Sequence, residues 1–258
     1  MTGRSYSFAL RPIWLVGHLI VLVAVIVFIA MGFWQLRRLA ERQEFNALLT
    51  ERTNEAAIPF AEALARYGPE QDSLELRAVS ASGNYASQEE VILLARSYSG
   101  ISGHHVVTPL YLEGNRAVMV DRGWVPIDLD APGLEAFAPP PGPVSVSGVL
   151  RKTEVRGSFG PTIPSAGVVT QVPRVDLERL DSQVSAELAP VYIQLLEQNP
   201  AQSGDLPRLV PLPVPSEGPH RGYAVQWFLF AAVTTVGYPV LLWRTAATSI
   251  PSRPSCEP

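Results

Sequence analysis

The chain has 258 residues, 47% of them hydrophobic and 17% charged, with a net charge of −4. That is too apolar for a simple soluble domain and too polar for a many-span transporter, and removing two spans leaves one soluble domain of ordinary size. No basic cluster or RNA-binding motif is present, which excludes nucleic acid as a partner, and the single cysteine, Cys256, excludes an internal disulfide and disfavours a copper chaperone built on soft sulfur.

Residues 1–12 form a short tail with Arg4 and Arg11 and no acid. Residues 13–36 carry no charge and are bracketed by Trp14 and Trp34, as an aromatic belt would bracket a membrane helix. A cleaved signal peptide competes, but the apolar run far exceeds the roughly 7–15 residues of a usual hydrophobic region, so an uncleaved signal anchor fits. After Trp34 the pattern turns amphipathic. Leu36, Leu39, Ala40, Leu48 and Leu49 fall near helical spacing and Arg37 stands four residues before Glu41, which predicts that the first span continues as a helix out of the membrane. A short helix over 60–67 is stopped by Gly68-Pro69.

From Ser73 the apolar period changes to two. Strands are predicted over 74–79, 91–95, 106–112, 117–120, 144–150, 168–172 and 191–196, with Glu113-Gly114-Asn115 as a hairpin turn. A helix over 176–185 is expected between the last two strands, with Asp176 as its N-cap. These elements predict an α+β membrane protein, with an antiparallel β-rich barrel or sandwich over 37–219 between two transmembrane helices at 13–36 and 220–243. Residues 200–219 are a proline-rich approach to the second span, and 244–258 are a polar, proline-punctuated tail expected to be disordered.

The second span is uncharged from Gly222 to Trp243, about the 20 residues a bilayer-crossing helix needs. At its start stand an imidazole, His220, a cation, Arg221, and two aromatics, Tyr223 and Trp227. Two readings are open: a metal-ligating histidine at the mouth of the span, or polar and aromatic flanks marking the headgroup level. Positive-inside logic puts both tails in the cytoplasm, because Arg4, Arg11, Arg244 and Arg253 face one acid, Glu257; Arg37, Arg38 and Arg42 count against it.

Enzyme signatures are absent: there is no G-x-S-x-G, H-E-x-x-H, Walker A or G-x-G-x-x-G opening a helix. His104-His105 is the one histidine pair, and strand alternation sends the two rings to opposite faces, against a shared metal. Asp121-Arg122-Gly123-Trp124-Val125-Pro126 reads either as a strand end closed by a turn or as a docking edge, with Arg122 beside Trp124 as an anion contact and stacking face. His18 lies inside the first span, and on the expected topology roughly 20–25 Å of helix separates its depth from that of His220. The two cannot hold one iron together.

Three motifs, in order, resemble the surfeit locus protein one (Shy-type) family of cytochrome c oxidase assembly factors: Gly32-Phe33-Trp34-Gln35-Leu36-Arg37-Arg38 closing the first span, Asp121 to Pro126, and His220, Tyr223-Ala224 and Trp227-Phe228 opening the second. The resemblance covers nearly the whole chain. It implies a non-enzymatic factor in the cell membrane, its main domain on the outer side. It further implies that the factor binds heme a as transient cargo and aids its insertion into subunit I, working beside the enzymes of heme a biosynthesis. The family's favoured iron ligand falls on His220. The family often has asparagines before this histidine and an apolar residue after it, where this chain has Gly218-Pro219 and Arg221. An apolar macrocycle at the membrane edge suits one imidazole flanked by Tyr223 and Trp227, with Arg221 placed to pair with a propionate. The alternative from another class is a heme-free docking platform that stabilises an oxidase intermediate.

Overall fold

A computed structural model describes residues 6–158 and 160–248. The chain divides into two compact units. One is built from the two ends of the chain, up to residue 47 and from 215 onward, and the other from residues 48–214.

The first unit is a helical pair. Helix α1, Pro12–Thr53, is one continuous helix of 42 residues. It is about 63 Å long at 1.5 Å per residue, twice what a bilayer core of roughly 30 Å requires. The predicted helical run beyond residue 36 is therefore present, and residues 48–53 belong to the second unit. Before it, Ser7–Leu10 makes a 3-10 turn that packs Phe8 edge-on against Trp14 at 4.9 Å. The second long helix begins at His220 and runs to Thr248, past the boundary expected at 243. The disordered tail expected over 244–258 is thus helical at its start, and its remainder lies outside the described residues. Both helices are long and apolar enough to cross a membrane.

The second unit is a β-barrel. Strand β1 (Ile58–Pro59) leads into α2 (Phe60–Tyr67), which Gly68 ends at φ 72°. Helix α3 (Gln71–Leu74) follows. Here the structure corrects the predicted strand start at residue 74: Leu74 and Leu76 are both buried, but as a helical turn and a positive-φ residue capping the barrel end. Two leucines two apart cannot by themselves distinguish these cases. Strands β2 (Ala78–Tyr85), β3 (Val91–Tyr98), β4 (Ile101–Leu112), β5 (Arg116–Pro126), β6 (Pro143–Lys152), β7 (Gln171–Val172) and β8 (Glu187–Asn199) follow, with α4 (Leu177–Asp181) before the last. Asp176 caps α4 as expected, accepting from the Arg179 backbone N–H at 3.2 Å. The helix at 220 is therefore α5.

The strand order is β1-β2-β6-β8-β5-β4-β3-β7, and β2 also pairs with β4 through Asn84↔Tyr111 and Tyr85↔Leu110, which closes a five-stranded ring. Pairing within the ring is antiparallel except between β5 and β8, which run parallel. Alternation sets the two faces. Val118, Val120, Val144, Val146, Val191, Ile193 and Leu195 fill the barrel, and Phe60 and Ala63 of α2 pack on the same core. Their neighbours Met119 and Tyr192 point outward and build a second cluster with Leu93, Val172, Leu177 and Leu180.

Candidate functional site

Helices α1 and α5 pack antiparallel, with a polar contact near each end of the pair. At one end Tyr238 donates its hydroxyl to His18 Nδ1 at 2.6 Å, and His18 Nε2–H donates to the Ala9 carbonyl at 3.1 Å. At the other end His220 Nδ1 lies 2.9 Å from Gln35 Oε1. An amide oxygen only accepts, so Nδ1 carries the proton and Nε2 keeps its lone pair. Gln35 is 8% exposed, on a helix whose other faces are largely open. His18 and His220 thus belong to separate contacts, as their spacing requires.

The motif that closes α1 and the one that opens α5 interlock. Gly32 leaves room for the Phe228 ring, which lies 2.7 Å from where a Cβ would stand. Phe33 meets the same ring edge-on at 5.4 Å. Gln35 reaches His220. Trp34 and Arg38, one turn apart, form one wall of an open cavity of about 640 Å³, with Arg42 and Phe45 continuing that wall and Gly218, Pro219 and His220 opposite. Arg38 lies 5.9 Å from the Trp34 ring and pairs with Glu41 at 2.9 Å, while Arg42 donates to the Ser216 carbonyl at 3.1 Å. Gly218, at φ 66°, has no side chain to cover the imidazole; a Cβ there would stand 3.7 Å from Nε2.

Of the four residues singled out from sequence, His220 alone lines this cavity. Arg221 is exposed on the first turn of α5, one residue and about 100° of helix away from His220. Tyr223 is 48% exposed. Trp227 sits two turns along, on the helix seam, 5.7 Å from Phe28 and 5.9 Å from Phe230. The cations beside His220 are Arg38 and Arg42, and its aromatics are Trp34 and Phe45, all supplied by α1. Sequence reasoning missed them because the partner of a helix end is a tertiary fact. The one available signal was Gln35, a lone amide closing an otherwise apolar run.

In the barrel unit the Asp121–Pro126 motif forms the last six residues of β5, which ends at Pro126, and it is buried there rather than an exposed docking edge. Strand β5 runs through it with a bulge: Val106 pairs with Gly123 and Val107 with Asp121, so Arg122 is the extra residue. Alternation from Val118 and Val120 turns Arg122 inward. Its guanidinium donates to Glu90 Oε2 at 3.0 Å, to the Phe137 carbonyl at 2.8 Å and to Gln202 Oε1 at 2.9 Å, and its side chain is 1% exposed. Burial pulls its pKa below the ordinary arginine value, and the Glu90 carboxylate works against that. Gly123, at φ 124°, lets the chain at Arg208 come close, with the Arg208 carbonyl 2.2 Å from where a Cβ would be. Trp124 and Arg208 then exchange two backbone hydrogen bonds of 2.8 Å. The histidine pair divides as expected: His105 Nδ1 bonds Asp121 Oδ2 at 2.8 Å, while the buried His104 Nδ1 has no partner among the described residues.

Sequence comparison places these motifs among known proteins. The profile described as the SURF1 family matches residues 22–232. An uncharacterized SURF1-like protein of Mycobacterium tuberculosis is 26% identical over 238 residues, covering 90% of this chain and 84% of that protein. A SURF1-like protein of Rickettsia bellii is 27% identical over 242 residues, covering 91% and 92%. Surfeit locus protein 1 of Takifugu rubripes is 27% identical over 222 residues, covering 80% and 88%. All three motifs fall inside the matched stretch, and the chain belongs to the SURF1 family, the assembly factors of cytochrome c oxidase.

Proposed function

We propose that the chain carries heme a during oxidase assembly and aids its insertion into subunit I, holding the iron at His220. The observation that supports this is the Gln35–His220 hydrogen bond. A histidine that ligates a metal donates its other ring N–H to a fixed acceptor, which sets the tautomer and the ring orientation. Here Nδ1–H is held and Nε2 is left with its lone pair, beside a glycine and a cavity. The same cavity offers Trp34 and Phe45 to an apolar macrocycle and Arg38 and Arg42 to its propionates. On this reading the propionate role first given to Arg221 passes to α1, and Tyr223 and Trp227 serve the membrane edge and the helix seam. The protein acts as a carrier that must release its cargo, which suits one open ligand better than a closed pocket. Its partners are subunit I and the enzymes that make heme a. The β-rich domain is placed on the outer side of the cell membrane. A heme-free docking platform loses its main surface feature, because Arg122 is buried.

The test uses the full chain purified in detergent from cells that synthesise heme a. His220→Ala is expected to remain inserted and to lose most of the bound heme a, with residual binding showing an altered spectrum. An unchanged Soret band and heme stoichiometry in the variant would overturn the assignment.

A further inference from the structure

We propose that a cavity on the outer face of the barrel, beside β3, β5 and β8, is a second binding site, for a small organic monocarboxylate that also carries a hydroxyl. The cavity has a volume of about 310 Å³, at the lower end of the roughly 300–1,000 Å³ typical of small-molecule sites. It collects two features that the carrier role leaves unused, His105 and the Asp121 of the mid-chain motif.

Asp121 is fixed first. Its Oδ1 accepts the Gly123 backbone N–H at 3.1 Å, across the bulge, and its Oδ2 takes His105 Nδ1 at 2.8 Å. A carboxylate accepts, so His105 carries its proton on Nδ1 and keeps the lone pair on Nε2, in a ring that lines the cavity. His105 is only 8% exposed, and among the described residues Nε2 makes no hydrogen bond to protein.

Two guanidiniums stand at the same cavity with donors to spare. Arg96 spends Nη2 on both oxygens of Glu154, at 2.9 and 2.7 Å, which leaves Nη1 and Nε. Arg151 spends Nη1 on Gln194 at 3.1 Å. Its Nε lies 3.1 Å from Glu75 Oε1 but out of line for a hydrogen bond, so this ion pair leaves a donor unsatisfied. The acids are turned partly away, since Glu154 Oε2 also accepts from the Val175 N–H and Glu75 Oε2 from the Lys152 N–H. A purely structural ion-pair network closes on itself. This one leaves guanidinium donors of Arg96 and Arg151 and the His105 Nε2 without a protein partner among the described residues, on three side chains that line the same cavity.

The remaining walls are apolar: Leu93, the Tyr192 ring, and a strap at Val210, Pro211 and Pro213. The strap is held at fixed height by Gln194 Nε2 donating to the Val210 carbonyl at 3.0 Å and by the Trp124–Arg208 bridge. Burial raises the Tyr192 phenol above its ordinary pKa, so it stays a neutral wall. Glu154 and Glu75 hold Arg96 and Arg151, and Asp121 is held by His105 and the Gly123 N–H, so a bound carboxylate is recognised by the guanidinium donors these pairs leave open and not by net positive charge. A carboxylate suits the guanidinium donors, a hydroxyl donates to Nε2, and an apolar body fills the space between.

The experiment is calorimetric titration of the full chain in detergent with 4-hydroxybenzoate, benzoate and phenol. The expected result is 4-hydroxybenzoate binding at about 1 mM or tighter, and the other two about tenfold weaker or more. Arg151→Met, on a partly exposed side chain, is expected to weaken both carboxylates and leave phenol unchanged. His105→Leu is expected to abolish the preference of 4-hydroxybenzoate over benzoate. If His105→Leu does not fold, Pro213→Trp, which fills the cavity from the strap, is expected to weaken all three. No heat from any probe up to about 20 mM, or binding of 4-hydroxybenzoate unchanged in Arg151→Met, overturns the proposal.

Discussion

Gln35 is the residue on which the helix-pair site turns. Its side chain is buried at the seam of two apolar helices, and its oxygen is spent on His220. A polar group at membrane depth is kept when it has a partner and a task. If the proposed role of His220 holds, Gln35 acts through it, as a positioning residue that never touches the iron. Gln35→Leu keeps the packing volume and removes the acceptor. Heme a affinity of the purified protein is expected to fall about 10–100-fold, the usual cost of losing such a partner. Gln35→Glu restores an acceptor and is expected to recover most of it, which a loss of packing alone would not allow. Equal affinity in wild type and Gln35→Leu would show that the hydrogen bond does not orient the ligand.

The bulge in β5 does for the barrel what Gln35 does for the helices. Alternation sends Arg122 inward and Asp121 to the opposite face, the bulge leaves Arg122 unpaired in the ladder, and Gly123 admits the strap. Arg122 with Glu90 forms a buried pair, and Thr108 Oγ1 and the Gly133 N–H supply the remaining hydrogen bonds to the Glu90 carboxylate. Removing one partner of such a pair leaves a desolvated charge. Arg122→Met is expected to destabilise the barrel by about 3–5 kcal/mol, measured by denaturant unfolding. The double variant with Glu90→Leu is expected to lose less than the sum of the singles; strict additivity would mean that the pair is not coupled. The strands around this bulge were legible because Val144, Val146, Val118 and Val120 alternate with polar or outward residues. The bulge was not, because a charged pair followed by glycine inside a strand looks like the strand's end. What keeps Arg122 inside is Glu90, 32 residues earlier, and no local pattern reports it. His220 was legible by the same logic, from its place at a helix start, while Trp34, Arg38 and Arg42 became site residues only when α1 lay against α5.

At the scale of the whole molecule, the two polar contacts of the helix pair measure the membrane. His18 and Gln35 are 17 residues apart on α1, and His220 and Tyr238 are 18 apart on α5. Both spacings come to about 26 Å of helix, close to the roughly 30 Å of a bilayer core. In a bilayer crossed by this pair, each contact would fall near an interface, where a polar pair is cheapest. Arg11 and Arg244 lie beyond the His18–Tyr238 contact, and Arg37, Arg38 and Arg42 beyond the other, so charge counting alone leaves the orientation finely balanced. Of the four arginines at the second contact, Arg221 beside His220 included, two have local partners: Arg38 pairs with Glu41, and Arg42 holds the Ser216 carbonyl. Their presence is explained by the site, whereas Arg11 and Arg244 have the topogenic role left to them. The proposed orientation, with both tails in the cytoplasm and the barrel on the outer side, rests on those two arginines. Alkaline phosphatase folds only where disulfides form, and so it reads the side directly. Fused after Pro200, past the last barrel strand, it is expected to be active, and fused after Arg244 it is expected to be inactive. The reverse pattern would show that Arg37, Arg38 and Arg42 set the orientation despite their partners, and would put His220 and its cavity on the cytoplasmic face.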